Sequence, residues 1–262
     1  MGKKAAETVS IIMPAYNAGK TIKSSIESVI AQSYVEWELL IVDDSSSDDT
    51  VKVVEAIIKE HKERDIKLLK NIRNMGVAYS RNYGVKESHG EWIAFLDSDD
   101  LWSSDKLEKQ VKYVKDHEMM EGLVFTGSSF ITVQDKSLDY VLHVPEKIER
   151  SELLKQNVIS CSSVLVSRNL VHKYRFPENI KTIHEDFVVW LGILSSVKYA
   201  CGIDEALLKY RISEGSKSGK KTKAALMNWN TYRYVGLGFV QCLYYMIHYA
   251  FRGALKWARI KK

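Results

Sequence analysis

The chain has 262 residues, 45% of them apolar, which suits one large domain or a domain with an appendage and excludes a disordered polymer. Its net charge of +5 is unevenly placed: residues from Gly215 onward carry ten Lys or Arg and no Asp or Glu, leaving 28 basic and 33 acidic side chains before them. An acidic body argues against nucleic-acid binding, and a basic tail points to an anionic surface.

Residues 9–13 read as a first strand, followed by the turn-rich Pro14-Ala15-Tyr16-Asn17-Ala18-Gly19. Ile22, Ile26, Val29 and Ile30 then recur at helical spacing. Residues 39–42 form a second apolar run that ends in Asp43-Asp44-Ser45-Ser46-Ser47-Asp48-Asp49-Thr50. A helix follows with Val51, Val54, Ile57 and Ile58 on one face, then a third strand over residues 66–69. Asn74-Met75-Gly76 opens a helix through Arg81 and Asn82, and residues 92–96 make a fourth strand. This alternation predicts an α/β fold built on a doubly wound, mostly parallel sheet. The second half is less regular. Strands are expected over residues 123–125, 129–133 and 162–166, a helix over 187–194, and a late strand over 207–211.

Asp97-Ser98-Asp99-Asp100 is the most informative segment. Three carboxylates in four residues repel one another at the carboxyl end of a buried strand, where open α/β sheets hold ligands. A hard divalent cation removes that conflict, so the spacing suggests a metal and a phosphate-bearing substrate. Helix capping explains one of these acids but not three. A second acidic loop, at Asp43-Asp44, is expected on the same sheet edge, because the two strands should be adjacent and parallel. Asp44 could accept a hydrogen bond from a base or ribose, and Tyr16 could stack on a base. A solvated turn is the plain alternative for that loop. Arg81 is placed to contact phosphates or to hold Asp44, with a solvated helix arginine as the alternative. No phosphate-binding loop and no dinucleotide fingerprint follows the first strand, which disfavours nucleoside triphosphatases and dehydrogenases.

Val-Ser-Ile-Ile-Met-Pro-Ala-Tyr-Asn at 9–17, Leu-Leu-Ile-Val-Asp-Asp-Ser-Ser-Ser-Asp-Asp-Thr at 39–50, Asn74-x-Gly76-x-x-x-x-Arg81-Asn82 and Phe95-Leu96-Asp97-Ser98-Asp99-Asp100 occur in that order. Together they resemble the family 2 glycosyltransferases of the GT-A fold, closely over residues 9 to about 115 and more loosely to Arg211. Within that family the chain is most similar to transferases of bacterial cell-surface polysaccharide assembly, the teichuronic acid type among them. The resemblance implies an inverting, metal-dependent transfer from a nucleotide-diphosphate sugar, a UDP-sugar first among donors. It implies that Pro14, Ala15, Tyr16, Asp44, Arg81, Asp97, Ser98, Asp99 and Arg211 surround the nucleotide and diphosphate, with Asp99 ligating Mn²⁺ or Mg²⁺. It also implies that Asp186 of His184-Glu185-Asp186 is the general base, although both acids could simply favour the start of a helix. Tyr210-Arg211 with Ser213, Ser216 and Lys217 resembles a basic segment that closes over the diphosphate. The rival readings are a non-catalytic nucleotide-sugar-binding membrane adaptor, a glycoside hydrolase and, third, a nucleotidyltransferase. A hydrolase needs two carboxylates but no nucleotide loop.

The expected organisation is a catalytic domain over residues 1–214, with a nucleotide-binding half (9–115) and an acceptor half (116–214), and a basic amphipathic helical tail over 215–262. In the tail, Leu226, Trp229, Leu237, Val240, Tyr244, Ile247, Phe251 and Leu255 recur at spacings of three or four, with one gap. Trp, Tyr and flanking cations describe a helix lying on a membrane surface rather than a spanning one. The alternatives are packing on the body or a dimer contact. Three cysteines without metal spacing, and an N-terminus lacking a signal-peptide stretch, suggest a reducing cytoplasmic setting. The expected site is thus peripheral, on the inner face of the plasma membrane, with a saccharide or lipid-linked saccharide as acceptor.

Overall fold

The computed structural model describes residues 8–212 and 221–260. In chain order, β1 (Val9–Ala15), α1 (Ile22–Ile30), β2 (Trp37–Asp43), α2 (Thr50–Glu60), β3 (Ile66–Lys70), α3 (Val77–Glu87) and β4 (Trp92–Phe95) make the regular first half. Then come β5 (Leu101–Trp102), α4 (Lys106–Asp116), β6 (Leu123–Ile131), β7 (Ser137–Leu142), β8 (Lys147–Ile148) and α5 (Arg150–Lys155). β9 (Leu165–Ser167), α6 (Arg168–Lys173), α7 (Glu185–Ile193), β10 (Ala200–Arg211), α8 (Lys221–Tyr234) and α9 (Phe239–Ile260) complete the described chain.

One sheet runs in the order β3-β2-β1-β4-β9-β6-β10-β5, with β7 paired to β6 and β8 to β10. Its strand pairs are parallel from β3 to β4; β9 runs antiparallel between β4 and β6, and β10 returns parallel to β6. Successive residues of a strand face opposite sides. Ile12, Leu40, Ile93 and Phe95 therefore join one core layer, while Ile11, Met13, Leu39, Ile41, Ala94 and Leu96 join the other. Side chains of α1, α2 and α4 cover the second face, and those of α3, α5, α6 and α7 cover the first. This is the doubly wound, mostly parallel arrangement expected. A Cβ on Gly84 would lie 2.5 Å from Ile12 Cγ2, so α3 packs against β1 as closely as only glycine allows.

Three details depart from the expectation. The acidic strands β2 and β4 are not neighbours, because β1 lies between them and pairs with both. Their loops still share one edge, since all three strands are parallel. The two strands expected over 123–133 are one, β6, and residues 161–163 form a 3₁₀ turn rather than strand. The tail is two helices, not one stripe. Gly236, at φ +86°, reverses the chain between α8 and α9 and breaks the helical phase. Trp229 and Leu237, assigned to the exposed apolar stripe from sequence, pack on the body core with Tyr232 and Cys242. The Leu255 side chain, and residues Ser213, Ser216 and Lys217 of the expected basic segment, lie outside what the structure describes.

Candidate active site

The site lies where the strand order turns from β1 to β4, the switch point at which open α/β sheets bind ligands. Pro14 and Ala15 end β1, opposite Val42 and Asp43 of β2. The loops beyond are fastened together. Asn17 N donates to Ser46 Oγ at 2.9 Å, Ser47 N to Asn17 Oδ1 at 2.8 Å, Ala18 N to Thr50 Oγ1 at 2.8 Å and Gly19 N to Asp48 Oδ2 at 2.9 Å. Asp48 and Thr50 are thus structural parts of the acidic loop. Tyr16 stands clear at 53% exposure, free to offer a ring face.

Asp44 is buried and held. Its Oδ1 accepts from Asn71 Nδ2 at 2.7 Å and Met75 N at 2.8 Å, and its Oδ2 from Gly76 N at 2.7 Å. A carboxylate has about four lone-pair sites, so one remains on Oδ2. Arg81, expected from sequence on phosphates or on Asp44, makes no hydrogen bond to Asp44 among the described residues. It is buried, with Nη2 2.7 Å from Asp97 Oδ1 and Nη1 3.2 Å from Glu185 Oε1, its guanidinium 5.3 Å from the Phe176 ring. Next to it, Asn82 Nδ2 donates to the Phe176 carbonyl at 2.8 Å, and Asn82 Oδ1 accepts from Phe176 N at 3.0 Å. The motif from Asn74 to Asn82 therefore links the β2 loop, the β4 loop and the start of α7.

The three carboxylates after β4 have separate tasks. Asp97 faces Arg81 and its backbone N donates to Ser162 Oγ at 3.0 Å. Asp100 is buried, accepting from Ser162 Oγ at 2.7 Å and Arg211 N at 2.9 Å. Ser98 and Asp99 lie half-buried between them. Among the described residues, no side chain or backbone of another residue donates to the Asp99 carboxylate. Burial first, then the charge of Asp97, push its pKa up to about 6, although Arg211 acts against them. A carboxylate so placed takes a cation readily, and its oxygens suit Mn²⁺ or Mg²⁺. Among the described residues no group of three His, Cys, Asp or Glu side chains is arranged to hold a metal, so Asp99 would need ligand oxygens from a substrate.

Arg211 is at this edge and braces the loop. Its Nε donates to the Asp99 carbonyl at 2.6 Å and its Nη1 to Asp135 Oδ1 at 2.6 Å and the Thr132 carbonyl at 3.2 Å. Asp186 opens α7, with Oδ1 accepting from Phe187 N at 2.8 Å. Burial, then Glu185, raise its pKa, and Arg81 and His184 partly oppose them. That puts a carboxylate with proton affinity above normal beside the Asp97–Asp99 loop.

Residues 10–174 match the family described as Glycosyl transferase family 2. The chain belongs to glycosyltransferase family 2. It is 35% identical over 243 residues to the putative teichuronic acid biosynthesis glycosyltransferase TuaG of Bacillus subtilis, covering 92% of this chain and 94% of that one. It is 37% identical over 254 residues to the UDP-Glc:alpha-D-GlcNAc-diphosphoundecaprenol beta-1,3-glucosyltransferase WfgD of Escherichia coli, covering 95% of each. Its fold matches S. aureus TarS 1-349 in complex with UDP-GlcNAc (TM-score 0.71, 18% identity, 93% of this chain and 71% of that one). It also matches the mannosyltransferase PcManGT of Pyrobaculum calidifontis in complex with GDP-Man and Mn²⁺ (TM-score 0.69, 19% identity, 93% and 69%). The fold is therefore GT-A, with a helical C-terminal region.

Two residues of this site have surroundings that the sequence reading did not foresee: Tyr210, read only as part of a basic segment, and Cys161. Tyr210 pairs in register with Phe130, their rings 5.8 Å apart. Burial and the charges of Asp100, Asp97, Asp99 and Asp186 hold the phenol protonated far above its usual range, so it stands among the carboxylates as a donor. Only strand register brings it there. Cys161 is buried within reach of Arg81, Asp97 and Asp186; burial raises its pKa, which makes it an inert thiol rather than a nucleophile.

Arg81→Met should fill the space beside Phe176 but remove the cation that Asp97 and Glu185 share. Losing one partner of a buried ion pair costs about 3–5 kcal/mol, and the low end applies because Asp97 is partly exposed. Urea unfolding should show a midpoint lowered accordingly; an unchanged midpoint would mean the pair is not structural.

Proposed function

We propose that the protein is an inverting, metal-dependent hexosyltransferase that moves a sugar from a UDP-sugar to a lipid-linked saccharide during cell-surface polysaccharide synthesis. The observation that carries this reading is the meeting, across Arg81, of the Asp97–Asp99 loop with the Asp186 end of α7. One side offers charge for a diphosphate and the other a base. Family membership supports glycosyl transfer. The printed name of WfgD, with its UDP-Glc donor, diphosphoundecaprenol acceptor and β-1,3 product, supports the finer terms.

In this reading Pro14, Ala15, Tyr16 and the free lone pair of Asp44 receive the base and ribose. Asp97 and Ser98 border the sugar and diphosphate, with Arg81 holding Asp97 in place and Arg211 holding the loop backbone. Asp99 would hold Mn²⁺ or Mg²⁺, which when bound offsets the charge of the departing diphosphate. Asp186 takes the proton of the acceptor hydroxyl as its oxygen bonds to the anomeric carbon. The bond from that carbon to the diphosphate breaks, and UDP leaves with the electron pair. Tyr210 donates to a sugar hydroxyl beside the carboxylates. A lipid-linked acceptor places the enzyme at the cytoplasmic membrane face, peripheral through its basic tail, where oligomers could also form. Transfer of labelled sugar from a panel of UDP-sugars with Mn²⁺ to a polyprenyl-diphosphate saccharide tests the proposal. Binding of UDP-sugars without transfer to any acceptor would favour a non-catalytic adaptor.

A further inference from the structure

α9 is turned the unusual way round. A surface helix ordinarily packs its most apolar side inward. Here Cys242 is in the body core, with Tyr245 and Met246 packed against it, and Tyr249 bonds to Asn228. The more apolar side faces out: Phe239, Val240, Leu243, Tyr244, Ile247 and Phe251 are each at least 50% exposed, and Val240 reaches 78%. Their steps of about four residues align them along one face of the helix. Contiguous exposed apolar surface on this scale marks a contact site.

We infer that this outer face of α9 is the element that inserts into the interfacial layer of an anionic bilayer. Charge selects that occupant. α9 has no acidic residue, and every charged side chain from Gly215 onward is basic. Arg233 lies at the turn between α8 and α9, and Arg252 on α9 pairs with Glu152 at 3.3 Å; the remaining cations of the segment have no acidic residue beside them in sequence, and an anionic lipid surface attracts such a segment. No described helix is long and apolar enough to cross a membrane, so α9 lies in the plane of the interface. The inference deepens the lipid-linked reading and rests on it only for its purpose. It also changes which residues meet lipid: Trp229 is packed on the body, and the inserted aromatics are Phe239, Tyr244 and Phe251.

Truncation is a poor probe. α8 supplies Thr231, whose Oγ1 receives His184 N at 3.0 Å, and Tyr232, whose hydroxyl donates to the Leu154 carbonyl at 2.7 Å. Full-length protein is better compared with the double variant Leu243→Glu/Ile247→Glu and with Val35→Glu, which places a charge at an exposed apolar site on a distant loop. The readout is flotation with phosphatidylcholine vesicles with and without phosphatidylglycerol, alongside the UDP-induced thermal shift as a check on folding. Wild type and Val35→Glu should float with the anionic vesicles. The double variant should partition about tenfold less or weaker still, with its UDP response intact. High salt should weaken wild-type binding without abolishing it, because the apolar part is not screened. Equal flotation of wild type and double variant would overturn the inference. So would a wild-type dimer that the double variant splits without losing flotation, since the face would then pair with a second copy. Either outcome leaves the catalytic reading standing. Flotation as expected, with no transfer to any acceptor, would instead sink the catalytic reading and keep the surface.

Discussion

Asp186→Asn should fold, bind UDP and lose transfer by about 10²–10⁴-fold, the usual scale of general-base catalysis. The substitution keeps the acceptor for Phe187 N, so α7 should start unchanged. It removes the group that takes the acceptor's proton. Burial and Glu185 raise the pKa of Asp186, and a base works only when ionised. In the wild type kcat/KM should therefore rise with pH along a limb lying above the ordinary carboxylate range. Glu185→Gln removes the like charge, so that limb should move to lower pH while activity survives. A dead Glu185→Gln beside a near-normal Asp186→Asn would show that the other carboxylate is the base.

Asp99→Asn should abolish metal-dependent transfer, by at least about 100-fold, and chelation of the wild type should do the same. A stability measurement separates this from a damaged fold. The folded pKa of Asp99 is about 6, above its ordinary value near 3.8. Ionising it thus costs native stability: the stability present below pH 4 is lost as pH rises through 6. A shift of about two units corresponds to roughly 3 kcal/mol. In chelator at pH 8, Asp99→Asn should melt higher than the wild type, and the gap should close near pH 4. Mn²⁺ with UDP should raise the wild-type midpoint and leave the variant's unmoved. Equal Mn²⁺ responses would remove Asp99 from the metal.

The first half of this fold was legible because short apolar runs alternate with amphipathic stretches, and each acidic cluster follows a run. The same pattern exposed the Asp43–Asp44 and Asp97–Asp100 loops as one edge, though not that β1 separates them. Pair partners distant in sequence were illegible. Arg81 meets Glu185 across 104 residues, and nothing local distinguishes a buried, doubly paired arginine from one that binds phosphate. The partners of Arg211 were equally illegible: Asp135 and the carbonyls of Asp99 and Thr132 are all far from it along the chain. Tyr210 depends on register between β10 and β6, which a β-bulged strand hides from any count along the chain. In the tail, periodicity was read straight through Gly236. A single residue with positive φ resets the helical phase, so the stripe that looked continuous belongs to two helices with different faces.

The proposed reaction is attack of an acceptor hydroxyl, activated by Asp186, on a nucleotide-activated sugar. The most direct measurement is the anomeric configuration of the product formed from an α-linked UDP-hexose, Mn²⁺ and a polyprenyl-diphosphate saccharide, read by nuclear magnetic resonance. One displacement with a single base predicts a β-linked product and one UDP released per linkage. An α-linked product, or release of sugar from a nucleotide-free glycoside at a comparable rate, would rule out a single displacement based on Asp186.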